Sequence, residues 1–211
     1  MPHRPRTVAL AMTGASGAPY GLRLLQCLIE AKRCVYLMVS GPAHVVIGME
    51  TDFKLPGRPA EMERLLTTRY GAAPGQLHVF GREQWTAPVA SGSAVSEAMV
   101  VCPCTTGTLS SIACGACNHL IDRAADVTLK ERRKLILVLR ETPLSVIHLE
   151  NMLKLARMGA TILPANPGFY HRPKAISDLV DFVVARILDH LEINHALIPR
   201  WGFTHSEDEP V

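Results

Sequence analysis

Apolar positions along the chain form six short runs, at 7–12, 34–39, 77–80, 98–102, 135–139 and 161–163. The runs are rich in Val, Ile and Leu and lack clean alternation with polar residues, the pattern of parallel strands covered on both faces. Between them, apolar residues recur at the spacing of amphipathic helices, over 20–31, 43–49, 60–70, 106–116, 120–133, 145–158 and 176–190. Strand and helix alternate, so right-handed crossovers and a doubly wound, mostly parallel sheet are expected, in a three-layer α/β fold. With 211 residues the chain reads as a single domain over 1–211. The segment from about 192 onward has no helical period and is expected to extend from the core and pack on a neighbouring subunit. The segment 52–75 is loop-rich.

The residues that follow the strands carry the first chemical signal, because ligands of such sheets bind beyond the carboxyl ends of the strands. The first strand runs into Thr13-Gly14-Ala15-Ser16-Gly17 and then Pro19, which suits a first helical turn. Helix N-termini carry unpaired N–H groups and a positive dipole end, and can hold a phosphate. The second strand is followed by Ser40-Gly41-Pro42, the fourth by Pro103-Cys104-Thr105-Thr106-Gly107-Thr108, and the last by Pro164-Ala165-Asn166-Pro167-Gly168. Any one hydroxyl cluster could be an ordinary helix cap. Their recurrence at successive strand ends points to a phosphorylated, nucleotide-like ligand in a Rossmann-like (flavodoxin-like) fold. The glycines at 14, 17 and 21 do not make the G-x-G-x-x-G of a dinucleotide site, which argues against an NAD-dependent oxidoreductase.

Composition narrows the options. Hydrophobic residues make up 48% and charged residues 19%, as in a globular chain. A net charge of +3 is too small to argue for nucleic acid, and no stretch has the length of a membrane span. The basic start leads into a run too short for a signal-peptide core, so the expected location is cytoplasmic. Cys102 and Cys104 end an apolar strand, and Cys114 and Cys117 lie among small residues; all read as reduced thiols rather than metal ligands. His148-Leu149-Glu150 lacks the partner motif of a zinc deaminase, so no metal is expected.

Cations add a second theme. Arg140-Glu141 follows the fifth strand directly, and Arg123 and Lys130, seven residues apart, share a helix face. A solvated basic helix and a second anion pocket facing the same crevice are both open readings. Glu141 could move a proton or form a structural pair with Arg140.

The chain resembles the UbiX-type flavin prenyltransferases through 12–17, Ala90-Ser91-Gly92-Ser93, Cys102-Pro103-Cys104-Thr105-Thr106-Gly107-Thr108-Leu109 and Asn118-His119-Leu120-Ile121-Asp122-Arg123-Ala124-Ala125-Asp126. Leu139-Arg140-Glu141-Thr142-Pro143, His148-Leu149-Glu150-Asn151-Met152 and Pro167-Gly168-Phe169-Tyr170 belong with them, so the match runs over roughly 7–202. The resemblance implies transfer of a dimethylallyl group from dimethylallyl monophosphate to N5 and C6 of reduced FMN, without a metal. The product, prenylated FMN, would pass to a UbiD-type decarboxylase. It implies trimers, commonly packed as a dodecamer, with FMN at subunit boundaries.

The implied FMN contacts are Gly14, Ala15, Ser16, Ser40, Thr105, Thr106, Gly107, Thr108 and Arg140. The implied donor phosphate site uses Lys130, Arg140, Glu141, Tyr170 and Arg186, with Arg123, Ser91 and Ser16 beside it. Trp85 and Trp201 would line the prenyl pocket, where aromatic faces suit developing allylic cation character. Ser16, Glu50, Glu141 and Trp201 are the implied catalytic residues. Two rivals share the loops: the flavin-dependent cysteine decarboxylase branch and a non-catalytic FMN-binding accessory subunit. The first would show P-x-M-N-x-x-M-W where this chain has Pro164-Ala165-Asn166-Pro167-Gly168-Phe169-Tyr170. The second would not need Lys130, Arg140 and Glu141.

Overall fold

The structure, a computed structural model, describes residues 7–200. The described residues form two compact units, one up to Ala165 and one from Asn166.

The first unit is built on strands β1 (Thr7–Met12), β2 (Cys34–Val39), β3 (Leu77–Phe80), β4 (Ala98–Cys104), β5 (Lys134–Leu139) and β6 (Thr161–Ile162). They form one sheet in the order β3-β2-β1-β4-β5-β6, and every pairing is parallel. That order reverses direction between β1 and β4, which places the ligand crevice beyond the ends of those two strands. Helices α1 (Ala18–Glu30), α2 (Gly41–Glu50), α3 (Pro59–Tyr70), α4 (Thr106–Ala113), α5 (Leu120–Lys130) and α6 (Val146–Arg157) make the crossovers.

Alternate residues of each strand serve the two faces. Ala9, Ala11, Met99, Val101, Leu135 and Leu137 pack into one buried core with Leu109 and Ile112 of α4, Leu120 and Ala124 of α5, and Leu155 of α6. Helix α1 packs on β1, β2 and β4 and buries Leu24, Leu25 and Leu28.

The expected elements are present; most boundaries shift by a residue or two, and three of the differences have a plain physical cause. Helix α4 stops at Ala113 because Gly115 turns left-handed (φ 69°). Helix α5 stops at Lys130, and Arg132 turns the chain at φ 52°. Strand β4 runs two residues beyond its expected end, through Pro103 to Cys104, past a register irregularity between Val101 and Cys104. A proline has no N–H for a ladder, and an irregularity is where a strand tolerates one.

One buried side chain locks the ends of the two central strands together. Thr13 donates from its hydroxyl to the Pro103 carbonyl at 2.8 Å and accepts from the Thr105 N–H at 2.9 Å. The Thr13 N–H also donates to the Pro103 carbonyl, at 3.1 Å. Valine has the same shape but would leave the Thr105 N–H without its acceptor. Thr13→Val is therefore expected to cost about 1–3 kcal/mol in chemical denaturation. An unchanged unfolding midpoint would show that water replaces the lost bonds.

The second unit holds helix α7 (Ile176–His190). Asp178 caps its start, accepting from the Lys174 N–H at 2.7 Å and the Ala175 N–H at 3.1 Å. Those bonds hold the Asp178 carboxyl below the usual range. Phe182 stacks on His171 at 5.4 Å and meets Tyr170 edge-on at 5.5 Å.

Candidate functional site

A cavity of about 380 Å³ opens beyond the carboxyl ends of β1, β2, β3 and β4. Three helix N-termini line it: α2 through Ser40, Gly41 and Pro42, α4 through Thr105, Gly107 and Thr108, and α5 through His119, Leu120 and Ile121. Ser40 caps α2 by accepting from the Ala43 N–H at 3.2 Å, and Thr105 caps α4 by accepting from the Thr108 N–H at 3.0 Å. Gly14 also lines the cavity, and a β-carbon there would collide with the Pro42 side chain, so only glycine lets the first loop approach α2 this closely. Met38 and Phe80 supply apolar surface. Convergent positive helix ends in a partly apolar cavity fit a phosphate on an aromatic ring system such as FMN.

The first loop is shaped from outside the cavity. Gly17 takes φ 111° at the head of α1, and the Glu50 carboxylate accepts the Gly17 and Ala18 N–H groups, both at 2.8 Å. An acidic side chain at a helix N-terminus satisfies two orphan donors and complements the dipole. Glu50 thus holds the loop that presents Ser16. Ala15 is buried, Ser16 is exposed, and the Ser16 carbonyl accepts from Arg140 Nε at 3.2 Å. The Arg140 N–H in turn donates to the Cys104 carbonyl at 3.3 Å. Ser16, Arg140 and the end of β4 are therefore one assembly. Glu141 is exposed beside it, and its Oε1 accepts from the Thr142 N–H at 3.1 Å.

The other expected phosphate residues gather elsewhere. Arg123 donates to the Ala90 carbonyl at 3.1 Å and pairs with Asp126 at 2.8 Å. Lys130 pairs with Glu131, and both pack against Gly92 of the Ser91 loop. Ser91 lies within 3.0 Å of Ser93. Arg123 and Lys130 thus share a face of α5, against the 90–92 segment. Lys130 precedes β5 and Arg140 follows it, so the two stand at opposite ends of that strand. A six-residue strand at about 3.3 Å per residue separates them by roughly 20 Å. Within one protomer the Lys130 and Arg140 positions are therefore far apart, whereas Arg123 lies near the start of α5, the end that lines the cavity.

Tyr170 and Arg186 belong to the second unit, where Arg186 pairs with Asp189 at 2.7 Å. Trp85 is half exposed in the segment after β3, and Trp201 lies outside the described residues. The thiols of Cys102 and Cys104 are fully buried, which pushes both up, Cys104 to about 12. None of the six cysteines forms a disulfide. Among the described residues, no His, Cys, Asp and Glu side chains group to hold a metal ion, and no helix is long and apolar enough to cross a membrane.

Sequence reasoning missed Thr13, Phe80, Arg82, Asn118, His119 and Asp122, which also line the cavity. Asp122 is buried, and burial pushes its carboxyl up. His119, the His119 and Asn118 amides and Arg82 partly offset this. The signal for Asp122 was present as an acid three residues after a helix N-cap.

Residues 2–188 match the Flavoprotein family, and with this fold and cavity the chain is a doubly wound α/β flavoprotein. The flavin prenyltransferase UbiX of Pseudomonas aeruginosa is 60% identical over 201 residues, covering 95% of this chain and 96% of the relative. The crystal structure of AnUbiX in complex with FMN and dimethylallyl pyrophosphate superposes with a TM-score of 0.84 at 42% identity, covering 94% of this chain and 98% of that one. A dodecameric FMN-dependent UbiX-like decarboxylase from Escherichia coli O157:H7 gives 0.82 at 40% identity, covering 92% and 98%. The chain belongs to the UbiX flavin prenyltransferase family.

Proposed function

We propose that this chain is a flavin prenyltransferase that joins a dimethylallyl group, from dimethylallyl monophosphate, to N5 and C6 of reduced FMN. One observation carries it: the cavity and the Ser16, Arg140 and Glu141 assembly occur in a chain 60% identical over nearly its whole length to a flavin prenyltransferase. Bound FMN supplies the nucleophilic nitrogen and carbon. Gly14, Ala15, Ser40 and Thr105 to Thr108 hold it in the cavity. Arg140, fixed on the Ser16 carbonyl, offers its remaining N–H groups to the donor phosphate and stabilises the charge of the departing group without rearranging. Ser16 places a hydroxyl at the same edge. Glu141 takes up the proton that leaves the reacting carbon. Glu50 acts by holding the Ser16 loop in shape.

Lys130, Arg123 and Ser91 enter this scheme from a neighbouring copy. Lys130 is roughly 20 Å from Arg140 along the strand in the same protomer, so a phosphate site that uses both draws on two chains. The dodecameric relative supports a homo-oligomer, and its trimeric unit is assigned through the family resemblance alone. Tyr170, Arg186, Trp85 and Trp201 are assigned to the donor pocket through the family resemblance alone. The family match runs through both compact units, which supports reading 1–211 as one flavoprotein domain with a tail from about 192 that packs on a neighbour. The product is destined for a UbiD-type decarboxylase, and six cysteines without a disulfide suit a cytoplasmic setting.

The test is anaerobic turnover with FMN reduced by dithionite. Inorganic phosphate is expected from dimethylallyl monophosphate only when the flavin is reduced. Release of pyrophosphate from dimethylallyl pyrophosphate, with the monophosphate left unconsumed, would reassign the donor, and phosphate release without reduced flavin would overturn the proposal.

A further inference from the structure

One wall of the cavity comes from residues to which prenyl transfer gives no role. Strand β3 ends at Phe80, and the turn after it is locked: the Gly81 N–H donates to Gln84 Oε1 at 3.1 Å, and the Gln84 N–H returns to the Gly81 carbonyl at 3.2 Å. Arg82 sits in that turn. Its carbonyl accepts from the Leu120 N–H at 2.9 Å, which ties the turn to the head of α5. Its side chain lies on His119, with Nε–H donating to Nδ1 at 3.0 Å and the second terminal nitrogen against Nε2. A guanidinium only donates and a neutral imidazole accepts through one ring nitrogen, so the bond to Nδ1 is the one that seats Arg82. The Asp122 carboxylate, the nearby acid, accepts from the His119 and Asn118 amides.

Arg82 is thus a fixed cation, held by backbone and side chain before any ligand arrives. It lines the same cavity as the N-termini of α2, α4 and α5, all of which favour an anion. Of the parts of FMN, the phosphate is negative whether the ring is oxidised or reduced. Guanidinium grips phosphate through paired N–H groups. Arg82 also stands far from the donor site: it follows β3, whereas Arg140 follows β5, four strand spacings away at roughly 4.8 Å each. Two phosphates at those two positions leave the flavin ring between them.

We propose that Arg82, seated on His119, binds the phosphate of FMN and gives the cavity its preference for FMN over riboflavin. The inference rests on the FMN reading above and adds a residue to it.

The test is titration of flavin-stripped protein with FMN and with riboflavin, followed by quenching of flavin fluorescence. The parent is expected to bind FMN more tightly. Arg82→Gln is expected to weaken FMN by about tenfold or more and riboflavin by no more than about twofold, the scale of one lost charge-assisted contact. His119→Ala should weaken FMN less, by releasing the guanidinium from its seat. Should Arg82→Gln fail to fold, Arg82→Lys carries the test, because a point charge without the fork keeps only part of the preference. Equal weakening of both flavins, or unchanged FMN affinity, would overturn the role of Arg82 alone. A parent that binds neither flavin would overturn the FMN reading itself.

Discussion

Glu141→Gln protein should retain its FMN and form prenylated flavin about 100-fold more slowly than the parent, or slower still. The substitution keeps the size of the side chain and an oxygen for the Thr142 N–H, which donates to Glu141 Oε1 at 3.1 Å. It removes only the capacity to take up a proton. Glu141 lies outside the cavity lining, so FMN affinity is expected to stay within about twofold of the parent. Single-turnover rates under anaerobic conditions, with flavin content measured on the same sample, separate the two effects. A parent-like rate would remove Glu141 from proton transfer. Loss of flavin would make it a binding residue instead.

A mixture of two inactive variants should recover activity. Lys130→Met and Glu141→Gln each damage one half of a donor site that, on the geometry, no single protomer completes. After the two proteins are unfolded and refolded together, random assembly across a head-to-tail interface gives roughly one quarter of sites with both native residues. Activity near a quarter of the parent's is therefore expected, against almost none when the variants are refolded separately. Recovery no greater than the sum of the separate samples would place Lys130 and Glu141 on independent tasks within one chain.

Much of the fold was legible because strand and helix differ in period and every strand is covered on both faces. The strands at 7–12, 34–39 and 77–80 were readable to the residue. The extension of β4 was not: Pro103 reads as a breaker, and only the irregularity between Val101 and Cys104 admits it. The end of α4 was legible in principle, since Gly115 is the residue type that closes a helix in the left-handed conformation.

The loops that line the cavity were visible as glycine and hydroxyl clusters at strand ends. Arg82 and His119 were not, because they lie 37 positions apart and meet only where the turn after β3 reaches the head of α5. Lys130 teaches a different lesson. Its seven-residue spacing from Arg123 correctly gives a shared helix face but says nothing about which end of the strands each residue stands near. Strand direction does: in a parallel sheet, a residue before a strand and one after it stand at opposite ends of the strands. That relation between Lys130, β5 and Arg140 was present in the order of the elements.

The most direct measurement is the mass of flavin extracted after anaerobic incubation of the protein with reduced FMN and dimethylallyl monophosphate. The expected result is a flavin heavier than FMN by one prenyl group, formed only with active protein and donor together. Recovery of FMN at its original mass, from protein that binds FMN, would contradict prenyl transfer as the activity of this chain.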